Sequence, residues 1–214
     1  MASRALTAEE SAEITQHQVA VDVIAIAAHI SNPVEDLTLE QLQGIYQGRV
    51  TNWKDVGGLD APITVVVRGK NSGTRGAFDK IVLDKQNPNA PNLQEAITAG
   101  DMAAIIGNDP SAIGYVGFGN LEPDIKVLSV DGVPPSEETA RSGSYRLVRP
   151  LLFLTGPLTQ PLGQTFVEFA LSEEGQEHVA ASGWVTAKLY VPPVRAERVR
   201  RPRPTPPCCS THST

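Results

Sequence analysis

Cysteine is almost missing from this sequence: the two present, Cys208 and Cys209, stand side by side near its end. The body before them offers no disulfide framework, no thiol nucleophile and no Cys-based metal site. Long apolar runs are missing too. The longest covers six residues, 23–28, far short of the ~20 that a membrane-spanning helix needs. The first ten residues contain no apolar leader, so no secretory signal is expected in the chain as written. Histidine is sparse, and His17, His29, His178 and His212 lack the spacing of metal ligands. They read as surface or packed residues. Trp53 and Trp184 stand alone at loop or helix-end positions and read as packing anchors rather than stacking platforms.

Positive charge is scarce outside the last segment. The chain carries a formal −6, while residues 192–214, with five Arg and one Glu, carry +4, which leaves the body at −10. Phosphate-backbone binding needs a basic face, so nucleic acid is not an expected partner. Any anion site must be local, built by a few donors inside an unfavourable field. Six Pro and five Arg in residues 192–214 cannot form a core, and that tail reads as disordered. A basic patch for an acidic partner is the alternative there.

The remaining sequence is long enough for one compact domain or two small lobes. Residues 19–28 are apolar and rich in β-branched side chains. Thr38-Leu-Glu-Gln41 is a capping box, and Leu39, Leu42, Ile45 and Tyr46 then form a helical stripe that Gly48 stops. Residues 52–58 read as a loop. Ile63-Thr-Val-Val-Val67 is a short buried-type strand ending at Arg68. A helix with Phe78, Ile81 and Val82 inward follows a polar turn. Asp101 is expected to cap the next helix, which ends before Asp109-Pro110. Ile113-Gly-Tyr-Val116, residues 125–130 and Arg149-Pro-Leu-Leu-Phe-Leu154 read as strands, and Ser136 caps a short helix between the last two. Leu162, Phe166 and Phe169 mark an amphipathic helix, and Gly183 ends its last segment. Strands alternating with helices predict an α/β protein with parallel or mixed sheets.

One segment carries chemistry: Val67-Arg68-Gly69-Lys70-Asn71-Ser72-Gly73-Thr74-Arg75. A strand delivers a guanidinium at its carboxyl end, and Ser-Gly-Thr then opens a helix. Helix starts expose unpaired N–H groups and the positive end of the macrodipole. Gly73 admits a close backbone approach, Ser72 and Thr74 add hydroxyls, and Arg68 adds a planar fork for a tetrahedral oxyanion. The arrangement suits phosphate or another XO₄ anion. The plainer alternative is an ordinary Ser N-cap beside an Arg that pairs with a carboxylate. The Lys precedes the Ser, so this is not a nucleotide-binding P-loop. Gly114-Tyr-Val-Gly-Phe-Gly119 has the wrong spacing for a dinucleotide fingerprint and reads as a strand ending in a glycine-rich turn. Ser72 has no base near it in sequence and no nucleophile-elbow motif. No catalytic residue, metal site or cofactor is expected.

A family resemblance runs through these same residues. Ser31-Asn-Pro-Val, Leu37-Thr-Leu-Glu-Gln-Leu and Ile45-Tyr-Gln-Gly-Arg-Val-Thr-Asn-Trp-Lys-Asp-Val-Gly-Gly58 closely resemble phosphate-binding proteins of ABC-type phosphate importers. So do Arg68 with Ser72-Gly-Thr-Arg75, Ala112-Ile-Gly-Tyr-Val116, Val130-Asp-Gly-Val133, Arg149-Pro-Leu151 and Leu171-Ser-Glu-Glu-Gly-Gln176. The resemblance covers residues 1–187. It implies the type 2 periplasmic-binding-protein fold: two α/β lobes with mixed sheets, a hinge crossed by two strands, and an anion in the cleft. Residues 1–31 and 151–191 would form a partial first lobe, 32–150 the second, and 192–214 the tail.

By the same resemblance, Arg68 would clamp the anion, and Ser72, Gly73 and Thr74 would donate hydroxyl and backbone hydrogens. Arg75 would assist or brace the loop. Ser3 would sit at the cleft. Arg4 stands where some relatives have an Asp that takes the proton of hydrogen phosphate and so rejects sulfate, and Arg4 cannot accept a proton. Family members begin with a signal peptide and a strand-helix-strand-helix segment, so the first lobe is expected to be incomplete and phosphate binding by the chain as given to be weak or absent. The implied protein is a monomeric, non-catalytic receptor in the periplasm or at the cell surface. It would capture inorganic phosphate and deliver it to ABC permease subunits. The alternatives are a ligand-free adhesion or regulatory module on the same fold, or a phosphoester hydrolase.

Overall fold

The computed structural model describes residues 13–187. Ser3, Arg4 and the tail at 192–214 lie outside the described residues. Eight strands and six α-helices alternate along the described chain. In order they are β1 (Thr15–His29), β2 (Asp36–Leu37), α1 (Leu39–Tyr46), β3 (Thr64–Arg68), α2 (Gly73–Ile81), β4 (Leu93–Ala96), α3 (Ala99–Asn108), β5 (Ala112–Gly117), β6 (Ile125–Val130), α4 (Glu137–Arg141), β7 (Val148–Thr155), α5 (Pro161–Leu171), α6 (Glu173–Ala181) and β8 (Val185–Thr186). The sheet runs β2-β6-β1-β5-β3-β4, with β7 and β8 also on β1.

The sheet is mixed, as the alternation predicts. Strands β3, β4 and β5 are mutually parallel neighbours, with Val65 opposite both Leu93 and Ile113. Their carboxyl ends therefore share one edge, where the helices after β3 and β4 begin. Strand β1 is antiparallel to all its partners. Its first part, up to Val23, pairs with β7 and β8, and its second part, from Ile24, pairs with β5 and β6. The change of partners falls at Val23/Ile24, within one unbroken strand.

The core follows the hydrophobic pattern. Val23, Ile24, Ile26, Leu42, Ile45, Val66, Phe78, Met102, Ile106 and Ile113 are buried in one cluster. Trp53 is an anchor, buried with its indole Nε1 donating to Ser111 O at 2.8 Å. Gly114 sits where α3 lands on β5, and a Cβ there would lie 2.6 Å from Ile106 Cδ1 and 2.7 Å from Met102 Sδ. Only glycine lets the helix come that close.

Thr38 and Gln41 form the expected capping box, reciprocally bonded. Asp101 differs from expectation. The N-cap of α3 is Thr98, and Asp101 is the third helical residue, whose carboxylate accepts from Thr98 N at 2.8 Å. A box of Thr-x-x-Asp satisfies two orphan amides at once, so the helix starts three residues earlier. Helix α5 differs too. Leu162, Phe166 and Phe169 are 80%, 55% and 42% exposed, and Val167 is the buried residue. Among the described residues no helix is long and apolar enough to cross a membrane.

Candidate anion-binding site

Arg68 ends β3 at the edge shared by the parallel strands. Its backbone N–H donates to the Tyr115 hydroxyl at 3.0 Å, and its Nη2 donates to Ile97 O at 3.1 Å. Its Nε is buried and has no hydrogen-bond partner among the described residues. The guanidinium is thus held at one corner while part of its donor fork is left for something else.

Four residues on, Ser72 caps α2 in extended conformation, its Oγ accepting from Arg75 N at 3.3 Å. Gly76 N donates to Ser72 O. Helix geometry then leaves the N–H groups of Gly73 and Thr74 without an intrahelical acceptor. Gly73 is exposed, and Ser72 and Thr74 are half-buried. The start of α2 thus follows the end of β3 at the same edge of the sheet. The N-cap reading of Ser72 is met.

Arg75 is buried and paired with a carboxylate. Its Nε donates to both oxygens of Asp79, at 2.8 and 2.7 Å, and its Nη1 donates to Arg68 O at 2.7 Å. Burial holds the Asp79 carboxyl above its ordinary value, with Arg75 pulling it back. Of the two roles implied for Arg75, the geometry supports the brace: it ties the helix to the end of the strand that presents Arg68. The carboxylate pairing expected as an alternative for Arg68 is made by Arg75 instead.

The floor of this corner is aromatic. Phe78 stacks on Tyr115 with centroids 4.3 Å apart, and Tyr46 lies 4.5 Å from Phe78. Burial pushes the Tyr115 hydroxyl up to about 12, against the pull of the Arg68 amide that donates to its oxygen. Sequence reasoning missed this role for Tyr115. Strand alternation could have put Tyr115 and Gly114 on opposite faces, but only the β3/β5 pairing brings Tyr115 under Arg68.

Acidic groups surround the site. The hydrogen bond from the Thr98 backbone lowers the Asp101 carboxyl, and the Arg68 charge adds to this. Glu95 lies beside Gly69. The positive elements left without a carboxylate partner among the described residues are therefore Arg68 and the α2 start, with Lys70 exposed at the rim. A guanidinium at a strand end, and two backbone donors and two hydroxyls at the start of the helix that follows, are groups of the kind that bind a tetrahedral oxyanion. The Ser72 hydroxyl oxygen accepts the cap bond from Arg75 N. His17 bonds Thr155 and His29 bonds Ser31, both away from this corner.

Residues 1–174 match the family described as PBP superfamily domain. The phosphate-binding protein PstS of Bacillus subtilis (strain 168) is 34% identical over 180 residues, which are 84% of this chain and 58% of that protein. The phosphate-binding protein PstS of Borreliella burgdorferi is 30% identical over 200 residues, 88% of this chain and 72% of that protein. Among solved structures, a putative phosphate ABC transporter substrate-binding protein with bound phosphate from Clostridium perfringens aligns with a TM-score of 0.79 at 38% identity, covering 86% of this chain and 77% of that one. An ABC-type phosphate transport receptor from Vibrio cholerae aligns with a TM-score of 0.76 at 30% identity, covering 86% and 78%. The chain spans less than two thirds of the Bacillus protein. The fold is that of the type 2 periplasmic binding proteins, and the chain belongs to the PBP superfamily-domain family, which it shares with these phosphate-binding relatives.

Proposed function

We propose that this chain captures inorganic phosphate as the solute-binding component of an ABC importer, outside the cytoplasm and without catalysis. The observation that carries the reading is the Arg68 fork, half-committed, at the sheet edge where α2 opens. Proteins named for phosphate binding, aligned across most of this chain, support it. In this reading Arg68 clamps the anion, Ser72, Gly73 and Thr74 donate to its oxygens, and Arg75 braces the turn. Ser3 would add a donor from the facing lobe.

The two lobes would meet where β1 changes partners, between Val23 and Ile24. Residues 147–149 would form the second crossing, since Ile24 N donates to Leu147 O and Val23 pairs with Val148. Closure of the lobes would bury the anion. The partners are permease subunits, the protein acts as a monomer, and neither nucleic acid nor a cofactor takes part. The commitment of Ser72 to its cap, away from any histidine, favours binding over phosphoester hydrolysis.

Calorimetric titration of phosphate, with sulfate as the control, tests the reading. Arg68→Ala should abolish most phosphate affinity, because it removes the guanidinium of the corner that no carboxylate pairs with among the described residues. An unchanged dissociation constant would remove Arg68 from the site. Ser72→Ala should cost less, about 1–3 kcal/mol for one donor to a charged group.

A further inference from the structure

Asp22 interrupts the apolar stretch of β1 between Val21 and Val23, 1% exposed, on the strand that both sets of partners share. Its register partner on β7 is Arg149. Arg149 Nε donates to Asp22 Oδ2 at 2.7 Å, while Oδ1 is buried and has no hydrogen-bond partner among the described residues. Oδ1 instead faces Gly117, where a Cβ would lie only 2.8 Å away. A buried ion pair with one oxygen unsatisfied is an expensive way to hold two strands. An apolar pair of similar volume often does as well or better, and an orphaned buried acceptor calls for a reason.

The location supplies one. Asp22 is on β1 and Arg149 on the adjoining strand, next to the two points where Ile24 meets Leu147 on one side and Gly117 on the other. Any rotation of the β7/β8 part against the β5/β6 part must bend the backbone at residues 22–24 and 147–149. The pair bridges both bends. Gly117 lies on the same face of β5 as Tyr115, two residues away, and that face carries Phe78 of α2. Asp22 thus stands on the α2 side of the sheet, two strands from β3, roughly 10 Å across. A guanidinium that bonds a carboxylate through Nε alone can also do so as a fork, with the second oxygen engaged. The unsatisfied Oδ1 is the acceptor that the fork would use.

We propose that Asp22 and Arg149 are positioning residues that form the pivot of lobe closure, joined by one bond in this conformation and by a two-bond fork when the lobes close over the anion at Arg68. The proposal rests on the phosphate-capture reading, and the experiment separates the two. Spin labels go on the exposed positions Asn87→Cys and Gln164→Cys, in a chain with Cys208→Ser and Cys209→Ser. Distance distributions are recorded with and without inorganic phosphate, and phosphate dissociation constants are measured alongside. The same is done in the Asp22→Leu/Arg149→Met double variant, which replaces the pair by apolar contact and so keeps the fold. Asp22→Asn is a third arm.

The pivot predicts a broader distribution in the double variant before phosphate is added. It also predicts a dissociation constant weakened about tenfold, within the usual range of such couplings, at unchanged or raised Tm. A distribution and dissociation constant like the parent's would reduce the pair to a structural contact and overturn the proposal. If the longest polypeptide encoded by the gene, labelled at the same positions, ignores phosphate, the capture reading fails, and the ligand-free distributions still decide the pivot.

Discussion

Phe78 on α2 and Phe166 on α5 occupy similar stripes of similar helices and meet opposite fates. Phe78 is fully buried, stacked on Tyr115 and set against Tyr46. Phe166 is exposed, with Phe153 5.4 Å away as its ring neighbour, and Leu162 beside it is more exposed still. Helix α2 returns over β3 and β5 and finds a ready aromatic floor. Helix α5 lies along β1, β7 and α6 and buries only Val167. An apolar stripe states which side of a helix avoids water, but whether a surface awaits it depends on residues far away in sequence.

The sharpest way to break this comparison is to truncate both rings' neighbourhoods. Phe78→Ala should destabilise the protein by about 3–5 kcal/mol, as for a buried aromatic in a packed cluster, and denaturant unfolding reads this directly. A loss below 1 kcal/mol would mean that the α2 floor is not packed as described. Next comes Arg75→Met, which strips donors from Asp79 and from Arg68 O. It should cost about 1–3 kcal/mol and also weaken phosphate binding, since Arg68 loses its brace. Stability loss without any change in affinity would separate the brace from the site.

A smaller effect concerns pH. Burial raises the Asp22 carboxyl above its ordinary value, against the pull of Arg149. The folded state therefore holds this proton more tightly than the unfolded chain. Its contribution is full below the ordinary carboxylate value and fades as pH rises through the raised one. The Tm advantage of the chain over Asp22→Asn should accordingly be larger near pH ~4 than near pH ~7. A gap that shrinks on acidification would reverse the sign. Smallest of all, Leu162→Ala on α5 should change stability by no more than about 0.5 kcal/mol, and a clear loss there would show that the α5 stripe is covered.

Much of the second half of β1 and the helices packed on it was legible in sequence, because local rules there agree with the fold. Thr38-Leu-Glu-Gln41 caps α1, residues 125–130 form a strand with the expected bounds, and the turn after Arg68 opens a helix at Gly73. What could not be read depends on pairing. Strand β4 is mostly exposed and polar, Leu-Gln-Glu-Ala, so no periodicity marks it; it exists because β3 offers an edge. Asp22 within an apolar strand signals a partner, but only register identifies Arg149. The candidate site was legible only as a motif, a strand ending at Arg68 and a helix opening after Ser72. Its division of labour was not, since nothing in the sequence says that Arg75 rather than Arg68 pairs with the carboxylate.

The central claim is that phosphate is held at the β3–α2 corner by Arg68. The direct test is phosphate titration by calorimetry into the longest polypeptide encoded by its gene and into the Arg68→Ala variant of the same polypeptide, with Tm recorded for both. The account predicts saturable binding that is lost in the variant while Tm holds. Equal affinity in the two proteins would contradict it.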